Sequence, residues 1–199
     1  MSRRASVATA EILVDPTVSR AKFERELVEY RKLETEHQRR GWWILKAEFP
    51  EVFTVFAAPQ LRPSPVVFGA LLDFTNYDLW PPSVQVVDPF TREPYSGHNL
   101  PVPFLRRVPQ AAVMSEEQPN DGRIPVQQLM QFHQPDQVPF LCLPGVREYH
   151  QHPAHTGDLW LLHRNRGEGT LFFILDKLYT YGVAPLGYNL GYRITDVPE

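Results

Sequence analysis

The chain has 199 residues, of which 43% are hydrophobic and 22% charged, a composition typical of one folded domain rather than of a disordered chain. The net charge of -3 excludes a strongly basic nucleic-acid-binding surface, and the basic pairs at 39–40 and 106–107 are interpreted as solvated loop charges. A single cysteine cannot form an internal disulfide, and neither a membrane-length apolar run nor a secretory signal is present in the sequence. We therefore expect a cytoplasmic protein with no nucleic-acid or membrane partner.

The first predicted element is a helix that follows a flexible tail at residues 1–14. Asp15 is a favourable N-cap, and Pro16 suits the first helical position. Apolar side chains then recur at helical spacing, at Phe23, Leu27, Tyr30 and Leu33. The helix is expected to end near Gly41, because glycine commonly terminates helices.

Four short segments rich in aromatic and β-branched residues follow, and turn residues divide them. They are residues 42–45, 52–56, 66–72 and 84–87. Because their connections are too short for the crossover that parallel strands need, the sequence predicts an antiparallel four-stranded meander.

A proline-punctuated loop excursion spans residues 89–139, with one short helix or strand at 124–132 and a mobile acidic part at 115–122. A second long helix is predicted from Gly169 to Gly182, because its apolar residues form one stripe suited to packing on the sheet. The predicted fold class is α+β: an N-terminal helix, the meander, a long loop region that carries the cysteine, and a C-terminal helix. Residues 15–199 are treated as one domain.

The only cysteine lies in a segment that also carries most of the histidines. The ionisable residues of interest in this segment are Cys142, Glu148, His150, His152, His155 and Asp158. If residues 148–152 are extended, Glu148, His150 and His152 share one face, and a turn at Pro153 returns His155 to them. Such a concentration of ionisable groups has no packing rationale and indicates a functional site.

The residue types leave three interpretations of this segment open. A thiolate, imidazoles and a carboxylate on one face are suitable ligands for zinc or iron. Alternatively, Cys142 is a nucleophile, and the histidines or Asp158 lower its pKa or take protons from an incoming amine. In the third interpretation Cys142 is an inert core residue, because its neighbours in the sequence are apolar.

The order of these elements resembles the ubiquitin-conjugating enzyme fold. In that family a double-proline turn joins the third and fourth strands, where this chain has Pro81-Pro82, and the catalytic cysteine follows the sheet as Cys142 does here. The family's histidine-proline-asparagine triplet is missing before Cys142, and His98-Asn99 is a partial match far upstream. The resemblance implies that Cys142 is the catalytic cysteine and makes Asn99 a candidate oxyanion donor.

The segment from Cys142 to His155 is also similar to a bacterial family described as metal-binding and named for an ordered cysteine, glutamate and two histidines. Members of that family are associated with operons that encode ubiquitin-like proteins, activating enzymes and JAB-type peptidases. Both resemblances imply one pathway, bacterial ubiquitin-like conjugation with antiphage defence as one setting. They differ in the role of Cys142.

The leading hypothesis is a transferase of the ubiquitin-conjugating type that needs no cofactor. Its cysteine accepts the C-terminal acyl group of a ubiquitin-like protein from an activating enzyme as a thioester and passes it to a protein acceptor. The histidines are candidate bases or thiolate stabilisers, the acidic residues orient them or the acceptor, and the asparagine stabilises an oxyanion. The candidate catalytic residues are Cys142, Asn99, Glu148, His150, His152, His155 and Asp158.

Two alternatives stand beside this hypothesis. The first is a zinc-binding protein of the same operons, with ligands drawn from Cys142, Glu148, His150, His152 and His155. The second is a non-catalytic interaction module that keeps the conjugating-enzyme shape, since a fold alone does not determine activity. Such a module would present an aromatic side chain to its partner: Trp80, Phe90 or Trp160.

Overall fold

The computed structural model describes residues 11–108 and 125–188 and has helices around an antiparallel sheet, so the predicted α+β class is confirmed. In these residues the helices are α1 (Pro16–Arg31), α2 (Glu34–Arg40), α3 (Arg147–Gln151) and α4 (Leu171–Gly182). The main sheet contains β1 (Trp42–Glu48), β2 (Glu51–Ala57), β3 (Val66–Asp73) and β4 (Ser83–Val87). Two small ribbons pair β5 (Leu105–Arg107) with β6 (Val126–Gln128), and β7 (Met130–Gln131) with β8 (Phe140–Leu141).

Parts of two predictions fall outside these ranges. Residues 1–10 of the expected tail and the whole acidic part at 115–122 are not among the described residues. None of the helices at 11–108 and 125–188 has the length and apolar character needed to cross a membrane.

Helix α1 begins where the sequence predicts. The Asp15 carboxylate accepts a hydrogen bond from the Thr17 amide over 2.8 Å, and Pro16 occupies the first turn. Its buried side carries apolar residues at the expected spacing, namely Phe23, Leu27 and Tyr30. This side contacts α4, so the two long helices pack together.

The helical segment ends at Gly41 as predicted, but the prediction of one continuous helix is wrong, because α1 ends at Arg31 and α2 is a separate helix. A continuous helix would place Glu34 on the buried apolar stripe, where an unpaired charge is costly. The break leaves Leu33, expected on that stripe, 56% exposed and buries His37 instead. Gly41 then ends α2 with φ of 104°, in the left-handed region that glycine adopts without steric cost.

The four main strands pair in chain order, which confirms the predicted meander. Three aromatic residues form a ladder across it: Trp42 is opposite Phe56, which is in turn opposite Phe68. All three are 0% exposed. The Tyr179 ring of α4 lies 4.8 Å from the Trp42 ring, so the C-terminal helix packs on this face as expected.

Helix α4 is tightly fitted to the sheet. It begins two residues after the predicted Gly169, and the Thr170 hydroxyl caps it by accepting a hydrogen bond from the Phe173 amide. At its end Gly182 lies so close to the core that a Cβ there would be 2.5 Å from Phe104. Any larger residue at Gly182 would therefore displace this aromatic contact.

The excursion at 89–139 contains regular structure. Part of the predicted element at 124–132 is two short strands, β6 and β7, and residue 124 itself is outside the described ranges. Arg106, interpreted above as a solvated loop charge, is instead a half-buried residue of β5 that bonds to Gln127. The Cys142 amide donates to the Leu129 carbonyl over 2.7 Å, so the excursion lies beside the cysteine.

Candidate functional site

Cys142 follows β8 and is half-buried. Its Sγ lies 3.4 Å from Nε2 of His155. Burial raises the pKa of Cys142, and the positive charge of Arg106 opposes part of that rise. The cysteine is therefore a thiol at neutral pH, with an imidazole in place to take its proton.

The residues around His155 determine where its ring lies. A 3-10 turn forms at Pro153–His155, as the proline predicts, and it brings this histidine to the cysteine. Burial, with the nearby charge of His152, lowers the pKa of His155, so the ring is neutral at pH 7 and able to accept a proton. The ring of Tyr149 stacks on it with centroids 3.8 Å apart.

The expected extended conformation of residues 148–152 is wrong, because residues 147–151 form helix α3. Side chains at alternate positions point in different directions on a helix, so Glu148, His150 and His152 do not share one face. Arg147 anchors this helix to the sheet, and its guanidinium donates to the carbonyls of Thr75, Asp73 and Pro81. These long-range bonds favour the helical turn over a strand.

Glu148 makes its contacts with β4. The Ser83 hydroxyl and the Val84 amide both donate to its carboxylate. Burial raises the pKa of Glu148, and these two hydrogen bonds oppose part of the rise. Glu148 therefore holds α3 against the sheet and does not contact Cys142.

His150 and His152 have separate environments. In His150, Nδ1 faces the Asp158 carbonyl at 2.8 Å and Nε2 faces the Pro144 carbonyl, so both nitrogens are engaged by the backbone. In His152, Nδ1 accepts the Ala154 amide, which leaves the proton on Nε2. That nitrogen lies 3.1 Å from Nε2 of His133, a residue of the excursion that the sequence analysis missed.

Asp158 is connected to Cys142 through the side chains of Tyr149 and His155. One carboxylate oxygen accepts the Tyr149 hydroxyl over 2.6 Å, and the other is 2.6 Å from Nε2 of His163. The bond from Tyr149, followed by that from His163, lowers the pKa of Asp158. His163 in turn bonds to Glu168 through Nδ1.

These contacts define a chain of side chains that we call the cysteine relay. Its members in order are Cys142, His155, Tyr149, Asp158 and His163. Cys142, His155 and Asp158 are predicted from the sequence, whereas Tyr149 and His163 are not. Both lie within the histidine-rich stretch, so their position in the sequence was the only signal available.

Three other predicted residues are not members of the relay. Asn99 is exposed on a 3-10 turn whose amides donate to the carbonyls of Pro135 and Gln137. Trp160 is 5% exposed and its indole donates to the Asp78 carbonyl, so the expectation that it is presented to a partner is wrong. Phe90, at 83% exposed, does face solvent.

The predicted metal ligands are not assembled as a set. Glu148 and His150 are engaged elsewhere, while Cys142 is beside His155. Within residues 11–108 and 125–188, no three cysteine, histidine, aspartate or glutamate side chains are arranged to hold a metal ion. The contact between Cys142 and His155 supports proton transfer to and from a thiol.

Comparison with known proteins gives the family. The model of the Y4jH-like family matches residues 14–186, which spans α1 to α4 and the whole relay. The chain belongs to the Y4jH-like family. A relative from Sinorhizobium fredii (strain NBRC 101917 / NGR234), described as "Uncharacterized protein y4jH", is 44% identical over 175 residues, which are 86% of this chain and 85% of the relative. Neither description names the conjugating-enzyme or the metal-binding family that the sequence resembles.

Proposed function

We propose that this Y4jH-like chain carries a ubiquitin-like protein as a thioester on Cys142 and transfers it to a protein acceptor. The observation that carries the proposal is the 3.4 Å contact between Sγ of Cys142 and Nε2 of a neutral His155. The position of this pair gives further support, because it follows a four-stranded meander and precedes a helix packed on the sheet. That element order is the one that resembles ubiquitin-conjugating enzymes.

The charging step exchanges one thioester for another. Sγ of Cys142 attacks the carbonyl carbon of a ubiquitin-like protein bound as a thioester to an activating enzyme, while His155 takes the thiol proton on Nε2. A new carbon–sulfur bond forms and the original one breaks. The departing thiolate of the activating enzyme receives the proton, so the net charge does not change.

The discharge step uses the same two residues. An amine of the acceptor protein attacks the thioester carbonyl, its nitrogen forms an amide bond, and the thiolate of Cys142 departs. The proton lost by the amine passes through His155 to the cysteine sulfur. A neutral imidazole suits this step because it accepts the proton and then returns it.

A charging reaction tests the proposal. The full chain is mixed with ATP, Mg²⁺ and the ubiquitin-like and activating-enzyme-like proteins of the same genome, then separated without reductant. The wild type is expected to form an adduct that a thiol reductant cleaves. Cys142→Ser should give an adduct that resists reductant but is cleaved by alkali, because it is an oxygen ester, and Cys142→Ala should give none.

Tyr95→Phe is the matched control, because the Tyr95 hydroxyl bonds to Asp88 and takes no part in the contacts of Cys142. It should charge at a rate near that of the wild type. An adduct that persists in Cys142→Ala contradicts the proposal. So does the failure of wild-type protein to charge when its Cys142 reacts freely with iodoacetamide, and that result would favour the non-catalytic interaction module.

Zinc binding is the second candidate function, and one contact favours it. Sγ of Cys142 and Nε2 of His155 are 3.4 Å apart, and a thiolate and a neutral imidazole are both ligands that zinc prefers in proteins. Elemental mass spectrometry of the wild type, His155→Gln and Cys142→Ser tests it. One zinc per wild-type chain, lost in both variants, would make Cys142 a ligand and oppose the thioester proposal, because zinc-bound thiolate is a poor free nucleophile.

A further inference from the structure

His163 has an environment that a solvated surface histidine would lack. Its side chain is 14% exposed and lies between two carboxylates, with Nε2 at 2.6 Å from Asp158 and Nδ1 bonded to Glu168. Carboxylates are acceptors, so this geometry satisfies a ring that carries a proton on each nitrogen. The other ring facing it is that of His150, with centroids 5.8 Å apart.

The segment that carries His163 is fixed to the loop between β3 and β4. The indole of Trp160 donates to the Asp78 carbonyl over 3.0 Å, and Arg164 pairs with the Asp78 carboxylate at 2.9 Å. These contacts hold the segment of His163 in place. The hydrogen bond from His163 then restrains Asp158, the next residue of the relay toward Cys142.

The connection from Asp158 to the thiol passes through two further contacts. The second oxygen of Asp158 accepts the Tyr149 hydroxyl over 2.6 Å, and the Tyr149 ring stacks on His155 at 3.8 Å. The hydrogen bond to Asp158 fixes the hydroxyl end of the Tyr149 side chain and restrains the ring against which the His155 imidazole stacks. His155 then holds Nε2 beside Sγ of Cys142.

We propose that His163 is a positioning residue for Cys142, acting through Asp158 and Tyr149 to hold the His155 ring at the thiol. The inference deepens the proposed function and rests on it for the transfer reaction. The positioning itself is a property of the thiol and is measured without any partner protein. Glu168 completes the arrangement by holding the far side of the His163 ring.

The test measures how fast iodoacetamide alkylates the full chain between pH 6 and pH 9. Cys142 is the only cysteine, so all alkylated thiol reports on this site. Tyr149→Phe keeps the stacked ring and removes only the hydroxyl, whereas His163→Gln removes the imidazole. Each is expected to slow alkylation at pH 7 by about threefold to tenfold, the effect of about one hydrogen bond. As the pH rises toward 9, solvent increasingly replaces His155 as the base that removes the thiol proton, so the rates of the variants should approach that of the wild type.

Tyr95→Phe is the matched control, because Tyr95 also donates its hydroxyl to an aspartate, Asp88, in a different part of the fold. It should leave the alkylation rate unchanged. The double variant Tyr149→Phe/His163→Gln should be no slower than either single variant, because both substitutions interrupt one path. Thermal melting shows that each variant is folded, and Asp158→Asn replaces His163→Gln if the latter is not.

Two results would overturn the inference. One is a folded His163→Gln or Asp158→Asn chain that alkylates at the wild-type rate. The other is a double variant whose slowing is the product of the two single effects, which would show that the residues act independently. If alkylation slows as expected but no thioester forms in the charging reaction, the positioning of the thiol stands and the proposed transfer fails.

Discussion

The aromatic face of the sheet and the cysteine relay are held in place by different forces. On the sheet, Trp42, Phe56 and Phe68 are 0% exposed and contact one another through ring faces and edges. In the relay, half-buried side chains are held by directed bonds, such as that from Tyr149 to Asp158. Apolar packing tolerates small shifts of each ring, whereas a relay depends on the angle of every donor.

Two histidines show the same contrast. His37 stacks between Tyr30 and Trp42, and neither ring nitrogen has a hydrogen-bond partner in the described residues. Burial lowers the pKa of His37. Burial also acts to lower the pKa of His163, but the hydrogen bonds that its ring donates to Asp158 and Glu168 outweigh burial and raise the pKa. Burial in the core therefore favours the neutral form of His37, and the two carboxylates favour the charged form of His163.

The largest effect is expected from removing a ring of the core. Phe68→Ala should lower the free energy of unfolding by about 3–5 kcal/mol, because it deletes a fully buried ring and leaves a cavity. Phe90→Ala is the control, and its effect should stay within about 0.5 kcal/mol because Phe90 is 83% exposed. Urea unfolding measures both, and equal effects would contradict the assignment of the core.

The next effect concerns the polar anchor of α3. Arg147→Ala should cost about 1–3 kcal/mol, because it leaves carbonyl oxygens of Thr75 and Asp73 without their donor. Arg39→Ala removes an exposed arginine and should change stability by less than about 0.5 kcal/mol. If urea unfolding gave Arg147→Ala the same small effect, α3 would not depend on this anchor.

The pH dependence of stability should differ in sign between the two histidines. The folded-state pKa of His37 is below the unfolded value of about 6.5, so protonation of His37 favours unfolding. The contribution of His37 to the free energy of unfolding should therefore fall as the pH falls below about 6.5. A raised pKa means that His163 contributes stability below about 6.5, and that this is lost as the pH rises through its folded-state pKa.

Urea unfolding at pH 5.5 and pH 8.5 separates these contributions. His37→Phe should lose less stability than the wild type on acidification. His163→Gln should be more destabilised relative to the wild type at pH 5.5 than at pH 8.5. If acidification changed the stability of both variants, relative to the wild type, in the same direction, the contrast between core and relay would be contradicted.

The smallest effect is expected at Arg106. Its charge opposes the raised pKa of Cys142, so Arg106→Gln should raise that pKa further and slow alkylation at pH 7 by about twofold, the range of a weakly screened charge pair. Arg107→Gln is the matched control, because Arg107 is the exposed neighbour on β5. Equal slowing in both variants would show a general charge effect rather than a local one.

The sequence predicted the elements whose pattern is local. The strands of the meander and helix α4 follow from runs of apolar residues, and a turn does form at Pro153, although it brings His155 to Cys142 rather than to a shared face with Glu148 and His150. Helix α3 was missed because it has five residues, too few for a helical period to show. The role of Glu148 was missed because its partner Ser83 is 65 residues away in the sequence.

The same reasoning explains the other errors. The break between α1 and α2 depends on the burial of His37 against rings from α1 and β1, a tertiary contact that helical spacing does not contain. His133 belongs to the site only because the excursion folds beside the cysteine segment. Contacts between distant segments thus determine most of the relay's surroundings.

Intact-mass spectrometry of an acyl-transfer reaction tests the role of Cys142 most directly. The full chain is incubated with a ubiquitin-like protein that carries a C-terminal mercaptoethanesulfonate thioester. The wild type should gain the mass of one ubiquitin-like protein, which hydroxylamine removes, His155→Gln should gain it more slowly, and Cys142→Ala should not gain it. A wild-type chain that stays unmodified while iodoacetamide fully alkylates Cys142, or a Cys142→Ala chain that is acylated, would contradict the thioester mechanism.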